Sequence, residues 1–428
     1  MNKSFYLFRS GCVVSNFGDQ AVRLALIIYI INKTSSGTTL ALILIPAICI
    51  KSIATPLMGP FGDIFRRKNL LLITTFTKWS IWLICTQINL SVANICIIYT
   101  SIALVAALED SVLMAFVTEL VPNTHLEKAY QMIAGTNSMA KIIGGVLGGG
   151  FVLYLGLRLT IFLNSSTFLL LFFIILFTKQ INNNFSYCEE KIIPSNYYIK
   201  EVISIWKRKF LYGIKAVFFT PPILSLCIML FLLQLIIAPL QIALPLIVKN
   251  IYSSAPVVLG IIESSIGIGC VVSSICFGYF VSIFSKYYNL LFGIILFSIS
   301  MIFLGITNNI IGTVTLVFLC GFGITTANII INSQLMKIIP QTFKARISSI
   351  VVSCETIASP LGLFLGGIIA DDFGIMIMLF LSGILLFSFS FCTLFMNDFI
   401  IFVKANDYNE LKDSIVLNKL LVIEKRKE

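Results

Sequence analysis

The chain has 428 residues, 58% hydrophobic and only 11% charged, with a mean hydropathy of +0.99. That balance excludes a soluble globular domain and makes lipid the solvent of most side chains. The net charge of +11 does not point to a nucleic-acid partner, because the cations collect in alternate loops between apolar runs, which is a topology signal.

Backbone groups in hydrocarbon must be satisfied within helices or a closed barrel. Apolar runs such as 157–177 are too long for barrel strands, so an all-α membrane protein with about twelve spans of ~20 residues is expected. The first six spans are predicted at 8–31, 38–58, 69–88, 92–121, 129–155 and 157–178. The second six are predicted at 222–249, 256–283, 288–307, 310–338, 346–370 and 374–397. The chain thus reads as a first half (1–178), a cytoplasmic interdomain loop (179–220), a second half (221–397) and a tail (398–428). Within the loop, Lys200–Lys215 is patterned as a surface amphipathic helix, although a plain connector is the simpler reading.

Cations set the orientation. With both termini cytoplasmic, 23 of the 30 Lys and Arg lie in cytoplasmic loops and ends, against Lys33, Arg158 and Lys249 on the opposite side. The reverse topology inverts this bias, so a multi-pass protein of the inner (cytoplasmic) membrane with both termini inside is expected.

The halves repeat. A shift of 218 residues pairs Pro122 with Pro340, Thr124 with Thr342 and Ala140 with Ala358. It also pairs Gly144 with Gly362, Gly148 with Gly366, Gly149 with Gly367 and Gly156 with Gly374. Parallel repeats with a site between them near the midplane are a transporter architecture.

Between the second and third spans lies Gly59-Pro-Phe-Gly-Asp63-Ile-Phe-Arg66-Arg67-Lys68. This loop resembles the signature of the major facilitator superfamily, Gly-x-x-x-Asp-Arg/Lys-x-Gly-Arg/Lys-Arg/Lys. Gly59, Asp63, Arg67 and Lys68 match it, while Ile64 and Arg66 depart from it. The resemblance implies two six-helix pseudo-repeats, alternating access, and a gating role for this loop, with Asp63 and Arg67 holding the inner side shut. The second-half counterpart, 278–282 before Lys286, has lost the acid.

A charge at membrane depth costs about 2.5–3.5 kcal/mol on insertion scales, which makes each one a functional candidate. Asp19 and Arg23 lie one turn apart on the first span, with Ser15 a turn earlier. They form either a proton or cation site whose acid exchanges partners with Arg23, or a permanent ion pair. Glu109 and Asp110, on the fourth span, point about 100° apart. One of them is expected to pair with Lys78, Lys141 or Arg23, and repulsion between adjacent carboxylates favours proton carriage. The proton-coupling candidates are therefore Asp19, Arg23, Glu109, Asp110 and Lys141.

On the fifth span, Asn137, Lys141, Gly144/Gly145 and Gly148 form one helical stripe. Such glycines let another helix approach closely, and packing against the eighth span is expected. Gly135, Gly144, Gly148 and Gly149 also resemble the antiporter motif of proton-linked drug, macrolide and siderophore exporters, although Gly149 stands where the motif has Pro.

Candidates for lining a substrate cavity are Asn137, Gln234, Gln241, Asn328, Asn332 and Glu355. Gln234 and Gln241 are seven residues apart beside Pro239 and Pro245, whereas Thr325, Asn328 and Asn332 make a stripe on the tenth span. Glu355 is expected either to reach the cavity or to pair with the Asp63–Arg67 loop, and Glu263 to hold an outer gate with Lys249.

No phosphate-binding loop is present, His125 is the sole histidine and sits in a turn, and the eleven cysteines show no metal spacing. The chain is expected to be a monomer without enzymatic chemistry, metal or cofactor, whose partners are a small molecule, protons and lipid. The leading expectation is proton-coupled export of a small amphipathic or cationic molecule. Proton-coupled nutrient import is the alternative, and a non-transporting receptor or assembly subunit is third.

Overall fold

The structure, a computed structural model, describes residues 3–34, 36–58, 66–121, 126–178, 221–252, 256–283, 285–338 and 341–404. Among these residues the chain is helical, without strands. The N-terminal set comprises α1 (Lys3–Thr34), α2 (Gly37–Met58), α3 (Arg67–Cys85), α4 (Val92–Leu120) and α5 (Leu126–Phe177). The C-terminal set begins with α6 (Pro221–Ile237), α7 (Leu240–Asn250), α8 (Pro256–Ile283) and α9 (Lys286–Leu304). It continues with α10 (Ile310–Ile338), α11 (Gln341–Asp372), α12 (Ile375–Cys392) and a short α13 (Asn397–Lys404). Ten helical stretches are long and apolar enough to cross a membrane. The protein is an all-α, multi-pass membrane protein.

Local chemistry sets these boundaries. α4 begins after Ser91, whose Oγ accepts the Asn94 amide at 3.2 Å. α5 is two limbs broken at Gly156, whose φ of 74° suits a residue without Cβ. α6 and α7 are separated at Ala238 and Pro239, since proline has no amide to return to the carbonyl of Leu235. α1 starts earlier than hydropathy indicates, which buries Arg9, and its Nη2 donates to the carbonyl of Ile133 at 2.8 Å.

The repeat is visible in the coordinates. The same offset of 218 carries α4 onto α10 end for end, and it carries Gly156 onto Gly374, the other glycine with positive φ (92°). Helix packing follows it as well. A Cβ on Gly144 would meet Gln20 at 2.8 Å, and one on Gly148 would meet Ala21 at 2.8 Å. In the C-terminal set, Gly362 abuts Leu235 and Ala238, and a Cβ on Gly366 would meet Pro239 at 2.6 Å. Gln20 plus the offset is Ala238, and Ala21 plus the offset is Pro239. The contact of α5 with α1 and the contact of α11 with the α6–α7 break are therefore the same contact made twice.

Apolar packing divides along α1. Leu24, Ile27 and Ile31 join Leu40, Ile43, Ile242 and Leu246 in the main core. Toward the other end, Phe5 and Phe8 pack with Val112, Phe116 and Leu171. One end of the bundle carries Asp371 and the other carries Arg67. In lipid the apolar effect does not drive helices together, so close approach through small residues does more of the work.

Candidate functional site

α1, α3, α4 and the second limb of α5 bring a charged network together. Asp19 accepts a hydrogen bond from Asn164 Nδ2 at 3.1 Å, and Asn164 is fully buried. Gly18 makes this possible, because a Cβ there would meet Thr167 Oγ1 at 3.0 Å as well as Asn164. Lys78 Nζ lies 2.5 Å from Glu109 Oε2 and 5.3 Å from the centroid of the Phe168 ring. The same ammonium is within electrostatic reach of Asp19. Lys51 pairs with Asp110 at 2.7 Å on a more exposed face. Among the described residues, Asp19 is thus held by an amide, with no cation in direct contact.

Arg23 turns away from Asp19. Its Nη2 donates to Glu263 of α8 at 2.6 Å, and its Nε donates to Gln20 at 3.1 Å. This corrects two expectations, the Asp19–Arg23 pair and the Glu263–Lys249 gate. Lys249 instead donates to the carbonyl of Ile31, so both cations join one set to the other. A third junction was absent from the sequence reading. Asp371, at the end of α11, accepts from the amides of Gly37 at 2.7 Å and Thr38 at 3.0 Å, and from the hydroxyls of Ser36 and Thr38. A carboxylate at a helix N-terminus meets free amides and a favourable dipole. These junctions lie in the half of the bundle toward Asp371.

The glycine stripe serves both sets. Gly144 and Gly148 face α1, while Gly145 faces α8, where Ser264 Oγ donates to the carbonyl of Ile142 at 2.6 Å. The expected partner, the eighth span, is therefore only part of the contact. Gly149 is buried. Gly135, Asn137 and Lys141 fall on α5, and their side chains lie outside the described residues.

In the C-terminal set, Gln234 (α6), Asn328 (α10) and Glu355 (α11) line one cavity of about 40 Å³, together with Ile237 and Phe297. Among the described residues no side chain pairs with Glu355. Gln241 and Asn332 are not part of this cavity. The α6–α7 break rotates Gln241 off the Gln234 face, and Asn332 donates to the carbonyl of Asn328 one turn earlier at 3.0 Å. Of the signature loop, Gly59 and Asp63 lie outside the described residues, as do His125 and 179–220. Arg67 opens α3, and Lys68 Nζ donates to the carbonyls of Leu176 (2.9 Å) and Thr178 (3.0 Å), closing the end of α5.

Two pseudo-equivalent helix sets, charges at membrane depth and a sequence profile matching residues 10–363 to the Major Facilitator Superfamily converge. The chain belongs to that superfamily. Among curated proteins, none matches it in sequence. Solved structures match in fold. The nucleoside transporter NupG has a TM-score of 0.72 at 10% identity, over 92% of this chain and 99% of that one. A bacterial homologue of the iron transporter ferroportin, in an inward-facing state, has a TM-score of 0.68 at 14% identity, over 91% and 98%. A D-xylose–proton symporter has 0.68 at 12%, over 94% and 98%. The superfamily and this architecture make the protein a transporter of small molecules, embedded in a membrane.

Proposed function

We propose that the protein is a proton-coupled exporter of a small amphipathic or cationic molecule, working by alternating access with both termini in the cytoplasm. The observation that carries this reading is the division of partners on α1: Arg23 is engaged by Glu263 across the two sets, while Asp19, one turn away, is held by Asn164. Parting the sets at the Asp371 end breaks the Arg23–Glu263 bond. Arg23 then changes its partner one turn from Asp19, on the same face of the helix. An approaching cation favours the ionised carboxylate, and its departure favours the protonated one. The conformational change thereby drives proton uptake and release at Asp19. Lys78 and Glu109 supply a fixed charge pair beside it, and Lys51–Asp110 a second.

In this reading the Asp371 end is the outer side, shut in this conformation, and the Arg67 end is the cytoplasmic side, as the cation bias of the sequence favours. The glycine stripe of α5 contacts both α1 and α8, so any shift between the sets moves the coupling helix directly. The resemblance of that stripe to the antiporter motif is what favours export over import.

The test is a substrate screen in a transporter-deficient host, by resistance and by uptake, followed by energised inverted vesicles. An exporter accumulates its substrate in inverted vesicles at the expense of the pH gradient. Accumulation only in right-side-out vesicles contradicts export, and transport indifferent to the pH gradient contradicts proton coupling.

A further inference from the structure

The glycine contacts between α6 and α11 set a register that continues past the glycines. Leu235 meets Gly362 and Pro239 meets Gly366, so a residue of α6 faces the residue of α11 that lies 127 positions later. The difference is the same at both contacts, which means that the two helices run in the same direction. Residues spaced by four form one ridge of a helix. Two turns back along that ridge, from Leu235 through Phe231, the register sets Cys227 against Cys354. Their two thiols are hydrogen-bonded to each other, and both cysteines are free. Cys227 is buried, at 4% exposure, and Cys354 is the more accessible of the two.

The offset of 218 relates Cys227 to Arg9 and Cys354 to Thr136. In the N-terminal set those two side chains meet at one acceptor, the carbonyl of Ile133, which takes Arg9 Nη2 at 2.8 Å and Thr136 Oγ1 at 3.2 Å. Arg9 thereby ties α1 to α5 with a charge-assisted bond, which is a strong one. The C-terminal copy has two sulfurs at the same place. Thiols are weak donors and weak acceptors, so their contact holds α6 and α11 loosely. The same two atoms can also be joined covalently.

We propose that Cys227 and Cys354 are a reversible oxidation site, at which a hydroperoxide closes a disulfide between α6 and α11 and a dithiol reopens it. Cys354, the more accessible thiol, reacts first. Its sulfur attacks the outer oxygen of the hydroperoxide and the O–O bond breaks. The alcohol leaves with the Cys354 proton, and Cys354 becomes a sulfenic acid. The sulfur of Cys227 then attacks that of Cys354, the S–S bond forms and the S–O bond breaks. The hydroxyl leaves as water with the Cys227 proton. Two electrons have passed from the sulfurs to the peroxide, and a dithiol returns them by exchange, becoming a disulfide itself. Closure brings the sulfurs to about 2.05 Å, on helices already in close contact at Gly362 and Gly366. Leu230, one turn beyond Cys227, and Glu355, beside Cys354, line the cavity between α6, α10 and α11. The disulfide therefore fixes the spacing of two of its walls.

The experiment treats the purified full-length protein in detergent with hydrogen peroxide and blocks the remaining thiols with N-ethylmaleimide. The protein is then digested and read by mass spectrometry without reduction. The expected product is the Cys227 peptide joined to the Cys354 peptide within one chain, two hydrogens lighter than their sum, and dithiothreitol returns both thiols. Cys227→Ser loses the link and leaves Cys354 as a sulfenic acid that dimedone traps. Cys354→Ser loses the link and leaves Cys227 as a thiol. The wild-type chain alone decides the matter if a variant fails to fold. Cys227 and Cys354 both still reduced at a dose that oxidises the exposed Cys392 overturns the proposal, as does Cys354 driven to the sulfinic acid without a link. An equal yield of the link from chains unfolded in dodecyl sulfate makes it a chance encounter and overturns it too. None of these outcomes touches proton coupling at Asp19, which is read by a different measurement.

Discussion

The N-terminal set carries a lattice of charges at membrane depth, whereas the C-terminal set, built on the same repeat, holds one isolated acid in a mostly apolar cavity. Glu109 and Asp110 each have a lysine against them, Lys78 and Lys51. Glu355 has none. The offset places Leu296 and Ala327 where the first set has Lys78 and Glu109, so the second copy has lost the pair at both positions. One backbone plan thus supports two electrostatic designs, a set of paired charges and an acid without a partner among the described residues. Where the sets meet, the polar contacts are mixed: Arg23 with Glu263, Lys249 with the Ile31 carbonyl, and Asp371 with the first turn of α2.

The comparison breaks most sharply at Lys78. Its side chain is 8% exposed and that of Glu109 12%, so Lys78→Met strands a buried carboxylate. A loss of about 3–5 kcal/mol is expected, with most of it recovered in Lys78→Met/Glu109→Gln, both read from thermal melts in detergent. Equal melts for the single and double variants would mean that the pair carries no coupling. The next effect tests the repeat. Gly148→Leu and Gly366→Leu press side chains into Ala21 and Pro239 and should each cost about 1–3 kcal/mol or more, whereas Gly150, which has open space around it, should tolerate leucine. Unequal costs at Gly148 and Gly366 would show that the two contacts differ despite their register.

Removing Asp371 uncaps α2 across the junction between sets. Asp371→Ala should cost about 0.5–2 kcal/mol and raise labelling of a cysteine introduced at Thr38 when the Asp371 end opens. Unchanged labelling would remove Asp371 from the closure. The smallest effect belongs to Lys51–Asp110, whose side chains are 48% and 54% exposed. Lys51→Met should change stability by no more than about 1 kcal/mol, and a larger loss would place that pair in the same class as Lys78–Glu109.

Much of this architecture is legible in the chain itself. Long apolar runs mark the helix sets and the glycine identities mark the repeat, because lipid imposes one rule on every span. Lys78 as a partner for an α4 acid was also legible, since few cations sit at that depth. The partner of Arg23 was not. The bond to Glu263 spans 240 residues, and local spacing favours Asp19 one turn away. Gln241 was misplaced because a proline between it and Gln234 breaks the helical phase on which the stripe depends. Asp371 gave no signal in the sequence, because its role appears only when α2 is brought against it. Asn164 gave no sequence signal of its own, although Gly18 opposite it marks where two helices come close.

The central claim is that Asp19 couples the cycle to protons. The direct measurement uses reconstituted vesicles and a substrate found by the host screen, comparing pH-gradient-driven accumulation with gradient-free counterflow. The account predicts that Asp19→Asn abolishes accumulation while counterflow stays near the wild-type rate. Retained accumulation, or loss of both activities together, would contradict it.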